Sequence, residues 1–125
     1  EAFFRDRESE VIARLLDGPP CILSTGGGAY LREENRQMIS ERGAALWLRA
    51  DLELLWQRVK HKTTRPLLRT DNPRATLGEI QSARDPIYAL ADLVVDAKFD
   101  FSIDDMTDCV LDTLVTRPDI LEVQT

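Results

Sequence analysis

Three consecutive glycines, residues 26–28, constrain this chain more than any other stretch. They follow a short apolar run, Cys21–Leu23, and two hydroxyl residues. Because glycine loses more conformational freedom on folding than other residues, such a run is expected where the backbone needs positive φ or a ligand approaches it closely. An apolar run bounded by turn signals predicts a buried strand. The stretch therefore predicts either a ligand-binding loop at the end of a strand or a flexible turn.

Two further apolar runs, Ala44–Leu48 and Leu93–Asp96, alternate with helical patterns along the chain. Continuous apolar runs favour strands that are covered on both faces, as in a parallel sheet. Helices are predicted over residues 3–16, 31–42, about 75–91 and after two N-caps, Asp51 and Ser102. This alternation predicts a single α/β domain with a parallel sheet over residues 1–118, followed by a short tail, 119–125.

The composition argues against several classes of protein. A net charge of −6 over 125 residues is unfavourable for general binding to nucleic acid. No apolar run approaches the roughly 20 residues of a membrane span. Cys21 and Cys109 lack the spacing of a metal site, so we expect them to be reduced thiols in the core of a cytoplasmic protein.

Arg5 and Glu8 are three residues apart, so on a helix they are neighbours on one face. This pair has two interpretations. It is a solvated ion pair of little energetic weight, or Glu8 holds the guanidinium so that it can bind a substrate carboxylate through two hydrogen bonds. Arg84 lies just before Pro86, where we expect the helix to kink or break, and this would direct the arginine toward a site.

The most basic part of the chain lies between residues 58 and 69. It contains no acid, although the whole chain is acidic, and its basic residues are Arg58, Lys60, His61, Lys62, Arg65 and Arg69. A solvated loop and a phosphate-handling segment are both compatible with this pattern. Turn-forming residues close the segment, which predicts a lid at about residues 60–73.

Four motifs that occur in order along the chain carry a resemblance to a known family. They are Phe4-Arg5-x-x-Glu8, Gly26-Gly27-Gly28, Thr64-Arg65-Pro66-Leu67-Leu68 and Arg84-x-Pro86-x-Tyr88. Together with the helices and strands predicted between them, they resemble the shikimate kinases, small P-loop kinases of the nucleoside-monophosphate-kinase type. The resemblance implies a monomeric, cytoplasmic enzyme that uses ATP and Mg²⁺ to phosphorylate the 3-hydroxyl of shikimate, on the route to chorismate and the aromatic amino acids.

The resemblance also implies roles for residues on the acceptor side of the site. Arg5 and Arg84 would bind the shikimate carboxylate, and Glu8 would orient Arg5. Gly27 would offer its backbone to the substrate, while Gly26 and Gly28 would shape the loop. The implied partner is thus a small molecule, with no nucleic acid or membrane involved.

On the nucleotide side, the resemblance implies roles for three residues. Arg65 would be the catalytic lid arginine, which reaches the transferring phosphate and the bound nucleotide. Arg58 would lie against the adenine. Ser24, at the end of the strand that precedes the glycines, would stand near Mg²⁺ and contact it through a water molecule.

One departure from the family pattern is large. The residues contain no Gly-x-x-x-x-Gly-Lys-[Ser/Thr] run, so the Walker A lysine and the magnesium-binding hydroxyl are missing from them. We expect this strand, loop and helix, on the order of thirty residues, ahead of Glu1. The family's first strand lies in the middle of the sheet, so its absence should leave a gap between the remaining strands and an inactive fragment.

Two other functions remain open on the sequence. One is another small-metabolite P-loop kinase, such as a gluconate kinase. The other is a non-catalytic domain that kept an anion-binding site, which the absence of a phosphate loop upstream would favour.

Overall fold

A computed structural model describes residues 1–60 and 71–120 of the chain. Five α-helices and two strands account for most of the described part. In chain order they are α1 (Ala2–Leu16), a 3₁₀ turn (Gly27–Leu31), α2 (Glu33–Arg42), β1 (Leu46–Arg49), α3 (Leu52–Val59), α4 (Pro73–Tyr88), β2 (Leu93–Asp96) and α5 (Ile103–Leu114).

The two strands form a parallel pair, as the apolar runs predict. Leu46 lies opposite Leu93, and the register continues to Arg49 opposite Asp96. Helices α3 and α4 belong to the crossover between the strands, as a parallel pair requires. The carboxyl ends of both strands therefore lie at one edge of the sheet, where ligands bind in folds of this class.

The predicted helix boundaries are largely confirmed, and local capping explains why. The Asp51 carboxylate accepts a hydrogen bond from the Leu54 backbone N–H at 2.8 Å and begins α3. Ser102 and Asp105 form a reciprocal capping box at the start of α5, with distances of 2.9 and 3.0 Å. Helix α4 continues through Pro86 and ends two residues later at Tyr88, short of the predicted residue 91.

The prediction of a buried strand at Cys21–Leu23 is wrong for this structure. Residues 21–26 have no regular secondary structure, Cys21 is exposed and Ile22 is 99% exposed. Cys21 is therefore not the core thiol that the sequence predicts. A strand needs a neighbour to satisfy its backbone groups, and this segment has none among the described residues.

An open cavity of about 530 Å³ separates this segment from the sheet. Cys21, Leu23 and Thr25 line one wall, while Leu46 and Trp47 of β1 line another. Among the described residues β1 pairs with β2 alone, so the edge of β1 away from β2 has no partner strand there. The gap between strands that the family resemblance implies stays a prediction, because residues 21–23 do not form a strand on the far side of this cavity.

The core of the described part is small. Its buried apolar side chains are Ile12, Ala29, Leu54 and Val95. Large apolar side chains such as Phe3 and Phe4 remain more than half exposed on α1. No helix among the described residues has both the length and the apolar character needed to cross a membrane.

Candidate substrate site at the glycine loop

The three glycines do not adopt a conformation reserved for glycine. Gly26 is extended, with φ −65° and ψ 153°, and the 3₁₀ turn begins at Gly27. In the described part of the chain no residue has positive φ. Of the two reasons for a glycine run, positive φ is therefore wrong and close approach remains. The groups that approach in this structure are side chains of the protein itself.

Two arginines from distant parts of the chain reach adjacent glycines. A β-carbon at Gly28 would lie 2.5 Å from Nη2 and 2.8 Å from Nη1 of Arg5, far inside van der Waals contact. A β-carbon at Gly27 would lie 3.3 Å from Nη1 of Arg84. Helix α1 thus brings one guanidinium against the loop and α4 brings another. A β-carbon at Gly26 would meet nothing within 4 Å.

Arg5 is held in place by two carboxylates, one on its own helix and one at the N-cap of that helix. Its Nη1 donates to Oε1 of Glu8 at 2.7 Å, and its Nε donates to Glu1 at 3.1 Å. The Glu8 side chain is only 18% exposed, so this pair is less solvated than a typical surface ion pair. These hydrogen bonds, the one to Glu8 first and then the one to Glu1, raise the pKa of Arg5 above its ordinary value. The guanidinium therefore stays charged and keeps a fixed orientation.

Tyr88 joins α4 to the glycine loop. Its hydroxyl donates a hydrogen bond to the Gly27 carbonyl at 3.0 Å. Its ring packs against Trp47 of β1, with ring centroids 5.9 Å apart, and against Tyr30, at 6.4 Å. Arg84 and Tyr88 are four residues apart, so they share one face of α4. On that face, the Arg84 guanidinium and the Tyr88 hydroxyl both lie against Gly27.

Comparisons with known proteins agree with this geometry. A sequence profile described as "Shikimate kinase" matches residues 1–115. This chain belongs to the shikimate kinase family. It is 62% identical over 123 residues to a shikimate kinase of Ruegeria pomeroyi, and 57% identical over 122 residues to one of Cereibacter sphaeroides. These matches cover 98% of the chain but 63% and 61% of the two relatives, so the chain spans about three fifths of their length.

Solved structures of shikimate kinases share the fold. A shikimate kinase of Acinetobacter baumannii in complex with shikimate superposes with a TM-score of 0.78 at 30% identity, covering 94% of this chain and 66% of that one. A shikimate kinase of Bacteroides thetaiotaomicron superposes with a TM-score of 0.76 at 22% identity, covering 93% of this chain and 68% of that one. The predicted class, a parallel α/β sheet of the P-loop kinase type, is confirmed by these matches.

Two polar residues that sequence reasoning missed fix the shikimate kinase loop from α2. Asn35 is fully buried, and its Nδ2 donates to the Ala29 carbonyl at 2.9 Å. Arg32 donates to Asp6 at 2.7 Å and to Ser9 at 3.2 Å, which ties the start of α2 to α1. Helix α2 is almost entirely polar, so its sequence did not distinguish Asn35 from the polar residues around it. Arg32 gave no signal in the sequence.

The structure does not bring together the described residues that the family resemblance assigns to the nucleotide side, Ser24 and Arg58. Ser24 is exposed in the irregular segment before the glycines, and Arg58 is exposed in the last turn of α3. Arg65 lies outside the described residues, as does most of the predicted lid. These assignments stay predictions.

The residues around Ser24 do not by themselves form a magnesium site. Mg²⁺ is usually held by one or two carboxylates together with substrate phosphates and water. Across residues 1–60 and 71–120, no group of three or more His, Cys, Asp and Glu side chains is arranged to hold a metal ion. A single exposed hydroxyl cannot fix the position of this ion.

A second open region lies at the carboxyl ends of the strands. Nη2 of Arg49, at the end of β1, donates to Oδ2 of Asp96, at the end of β2, at 2.9 Å. The hydrogen bond from Arg49 lowers the pKa of Asp96 below its ordinary value. This pair lines a cavity of about 650 Å³ together with Gln81, Asp85 and Lys98. In this member of the shikimate kinase family, the edge of the sheet at the carboxyl ends of β1 and β2 is thus open to solvent.

Proposed function

We propose that this chain forms the acceptor-binding part of an ATP-dependent shikimate kinase, which transfers the γ-phosphoryl group of ATP to the 3-hydroxyl of shikimate. The observation that carries the proposal is the approach of Arg5 and Arg84, from the distant helices α1 and α4, to two adjacent glycines. Membership of the shikimate kinase family gives this geometry its chemical interpretation.

A carboxylated cyclic polyol suits this arrangement. The planar fork of a guanidinium can hold a carboxylate by two parallel hydrogen bonds, and here two such forks flank the same loop. Glu8 keeps one fork oriented before substrate arrives, which lowers the cost of ordering it on binding. Glycines without β-carbons leave the loop backbone accessible to the hydroxyl groups of the ring.

We assign the nucleotide side to residues that act once ATP is present. Arg65 is proposed to stabilise charge on the transferring phosphoryl group, because phosphoryl transfer depends on cations that are positioned at the developing charge. Arg58 is proposed to lie against the adenine. Ser24 is proposed to contact Mg²⁺ through water, with phosphates and residues beyond those described completing the ligand set.

The proposed setting is a monomer in the cytoplasm with a small-molecule partner. The net charge of −6 favours neither nucleic acid nor an anionic membrane surface as a partner. Cys21 and Cys109 are both free thiols, which suits a reducing compartment.

The test uses an extended chain, in which residues 1–125 follow the part of the Ruegeria pomeroyi relative that precedes the matching region. ADP release is measured with ATP, Mg²⁺ and either shikimate or gluconate as acceptor. Turnover with shikimate and none with gluconate supports the proposal. Turnover with gluconate alone would identify a different small-metabolite kinase, and shikimate binding without turnover would identify a binding domain.

A further inference from the structure

Tyr88 contacts the glycine loop, and the roles proposed for Arg5, Glu8 and Arg84 do not explain these contacts. It is the last residue of α4, and its hydroxyl donates to the Gly27 carbonyl 61 positions earlier in the chain. We propose that Tyr88 is a positioning residue: it fixes the Gly27 peptide opposite Arg84 so that loop and arginine bind shikimate as one unit. This inference rests on the proposed function.

The Tyr88 ring is itself held on two sides. Trp47 packs against it at a centroid distance of 5.9 Å and an interplanar angle of 53°, and Tyr30 at 6.4 Å and 44°. Tilted aromatic pairs at such distances are favourable beyond the area that they bury. Because β1 and the 3₁₀ turn both restrict the ring, the hydroxyl is a fixed point for the loop rather than a mobile surface group.

The hydrogen bond that fixes the Gly27 carbonyl oxygen also fixes the orientation of the whole peptide between Gly27 and Gly28. The carbonyl of Gly27 and the N–H of Gly28 belong to one planar trans peptide and point in opposite directions. The hydrogen bond to Tyr88 therefore sets the orientation of the peptide that lies between the two arginines. Because Arg84 and Tyr88 share a face of α4, one helix positions both the Arg84 guanidinium and the Gly27 peptide opposite it.

The same contact explains why residue 27 must be glycine. A β-carbon there would lie 2.5 Å from the Tyr88 hydroxyl but 3.6 Å from Cζ, the ring carbon that carries it. The first distance is a severe clash and the second is ordinary van der Waals contact. Because the ring is held by its neighbours, it cannot easily rotate away. Removal of the hydroxyl should therefore relieve most of the clash of an alanine at residue 27 and leave Nη1 of Arg84, at 3.3 Å, as its tightest contact.

The first test compares Tyr88→Phe with Tyr30→Phe in the extended chain. Tyr30 is a matched control, because it belongs to the same aromatic group and its hydroxyl makes no hydrogen bond among the described residues. We expect Tyr88→Phe to raise the shikimate Kd and KM about three- to tenfold, as for one lost hydrogen bond. The KM for ATP should stay unchanged, and Tyr30→Phe should change neither constant.

The result that overturns the inference is equal shikimate affinity in the two variants. A merely structural role would lower the melting temperature of Tyr88→Phe and weaken shikimate and ATP equally, which also counts against the inference. If the unsubstituted extended chain does not phosphorylate shikimate, the proposed function itself fails. The two failures are therefore distinguishable.

A second test uses the clash at residue 27. Gly27→Ala should raise the shikimate Kd strongly, and Gly27→Ala combined with Tyr88→Phe should bind shikimate more tightly than Gly27→Ala alone. Two residues in contact are expected to be non-additive in this way. Additive effects in the double variant would show that Tyr88 does not restrict the loop and would overturn the inference.

Discussion

The acceptor side and the nucleotide side of this molecule differ in how their residues are held. We define the acceptor side as Arg5, Glu8, Gly27, Gly28, Arg84 and Tyr88, and the nucleotide side as Ser24, Arg58 and Arg65. On the acceptor side, Gly28 meets a side chain from α1, and Gly27 meets two from α4. On the nucleotide side, Ser24 and Arg58 are exposed and lie on separate elements.

The difference indicates where preorganisation resides in these residues. The role proposed for the acceptor side, recognition of a small anion, needs fixed charge and fixed backbone, and the tertiary contacts hold both in place. The nucleotide side needs a phosphate cradle, which the residues do not contain as a Walker A motif. The predictions below separate the two sides, from the largest expected effect to the smallest.

The largest effect should come from supplying the missing cradle. Residues 1–125 alone should transfer no phosphate from ATP to shikimate, whereas the extended chain should be active. The physical reason is that an oriented backbone loop and its lysine bind the β- and γ-phosphates, and residues 1–125 contain no such Walker A run to preorganise them. A coupled assay on both proteins measures this. Turnover by the unextended chain would mean that the phosphate site lies within these residues after all.

Arg65→Ala in the extended chain should lower kcat by on the order of 10²- to 10³-fold, because its charge is expected to act on the transition state. The shikimate Kd should change little. Arg69→Ala, four residues later in the same basic segment, is the control and should keep most of the activity. If steady-state kinetics instead show a raised KM with normal kcat, Arg65 belongs with the binding residues and the comparison between the sides is weakened.

Arg5→Ala and Arg84→Ala should each weaken shikimate binding on the order of a hundredfold, because each removes one charged partner of the carboxylate. ATP binding should be unaffected. Arg7→Ala is the matched control, since Arg7 lies on the same helix and pairs with Glu10 at 3.1 Å on an exposed face. Calorimetric titration with shikimate gives all three affinities. Normal affinity in both Arg5→Ala and Arg84→Ala would contradict the assignment of the acceptor side.

The smallest effect should come from a helix cap remote from both sides. Helix α5 packs against β2, and Ser102 caps it with a hydrogen bond from Asp105 N–H at 3.0 Å. Ser102→Ala should lower the free energy of unfolding of the extended chain by about 1 kcal/mol, and Ser102→Asn should retain most of it. Denaturant unfolding measures the loss. A change in shikimate affinity in Ser102→Ala would show that the acceptor side is coupled to distant stability.

Local chemistry in the sequence determined most of the secondary structure. The cap at Asp51, the capping box at Ser102 and the strand Leu93–Asp96 are where the pattern predicts them, because each depends on neighbours within a few residues. The pairing of Arg5 with Glu8 follows from helical spacing in the same way. The four ordered motifs were enough to identify the family.

Only the tertiary structure decided which apolar runs became strands and which side chains met the glycines. Cys21–Leu23 and Leu93–Asp96 have similar sequence patterns, but within residues 1–60 and 71–120 only the second has a neighbouring strand to pair with. Unpaired backbone cannot form a ladder. The hydrogen bond from Tyr88 to Gly27 spans 61 positions, and no periodicity in a sequence encodes such a distance. Local patterns specify helices and caps, whereas contacts between distant residues arise only when those elements pack.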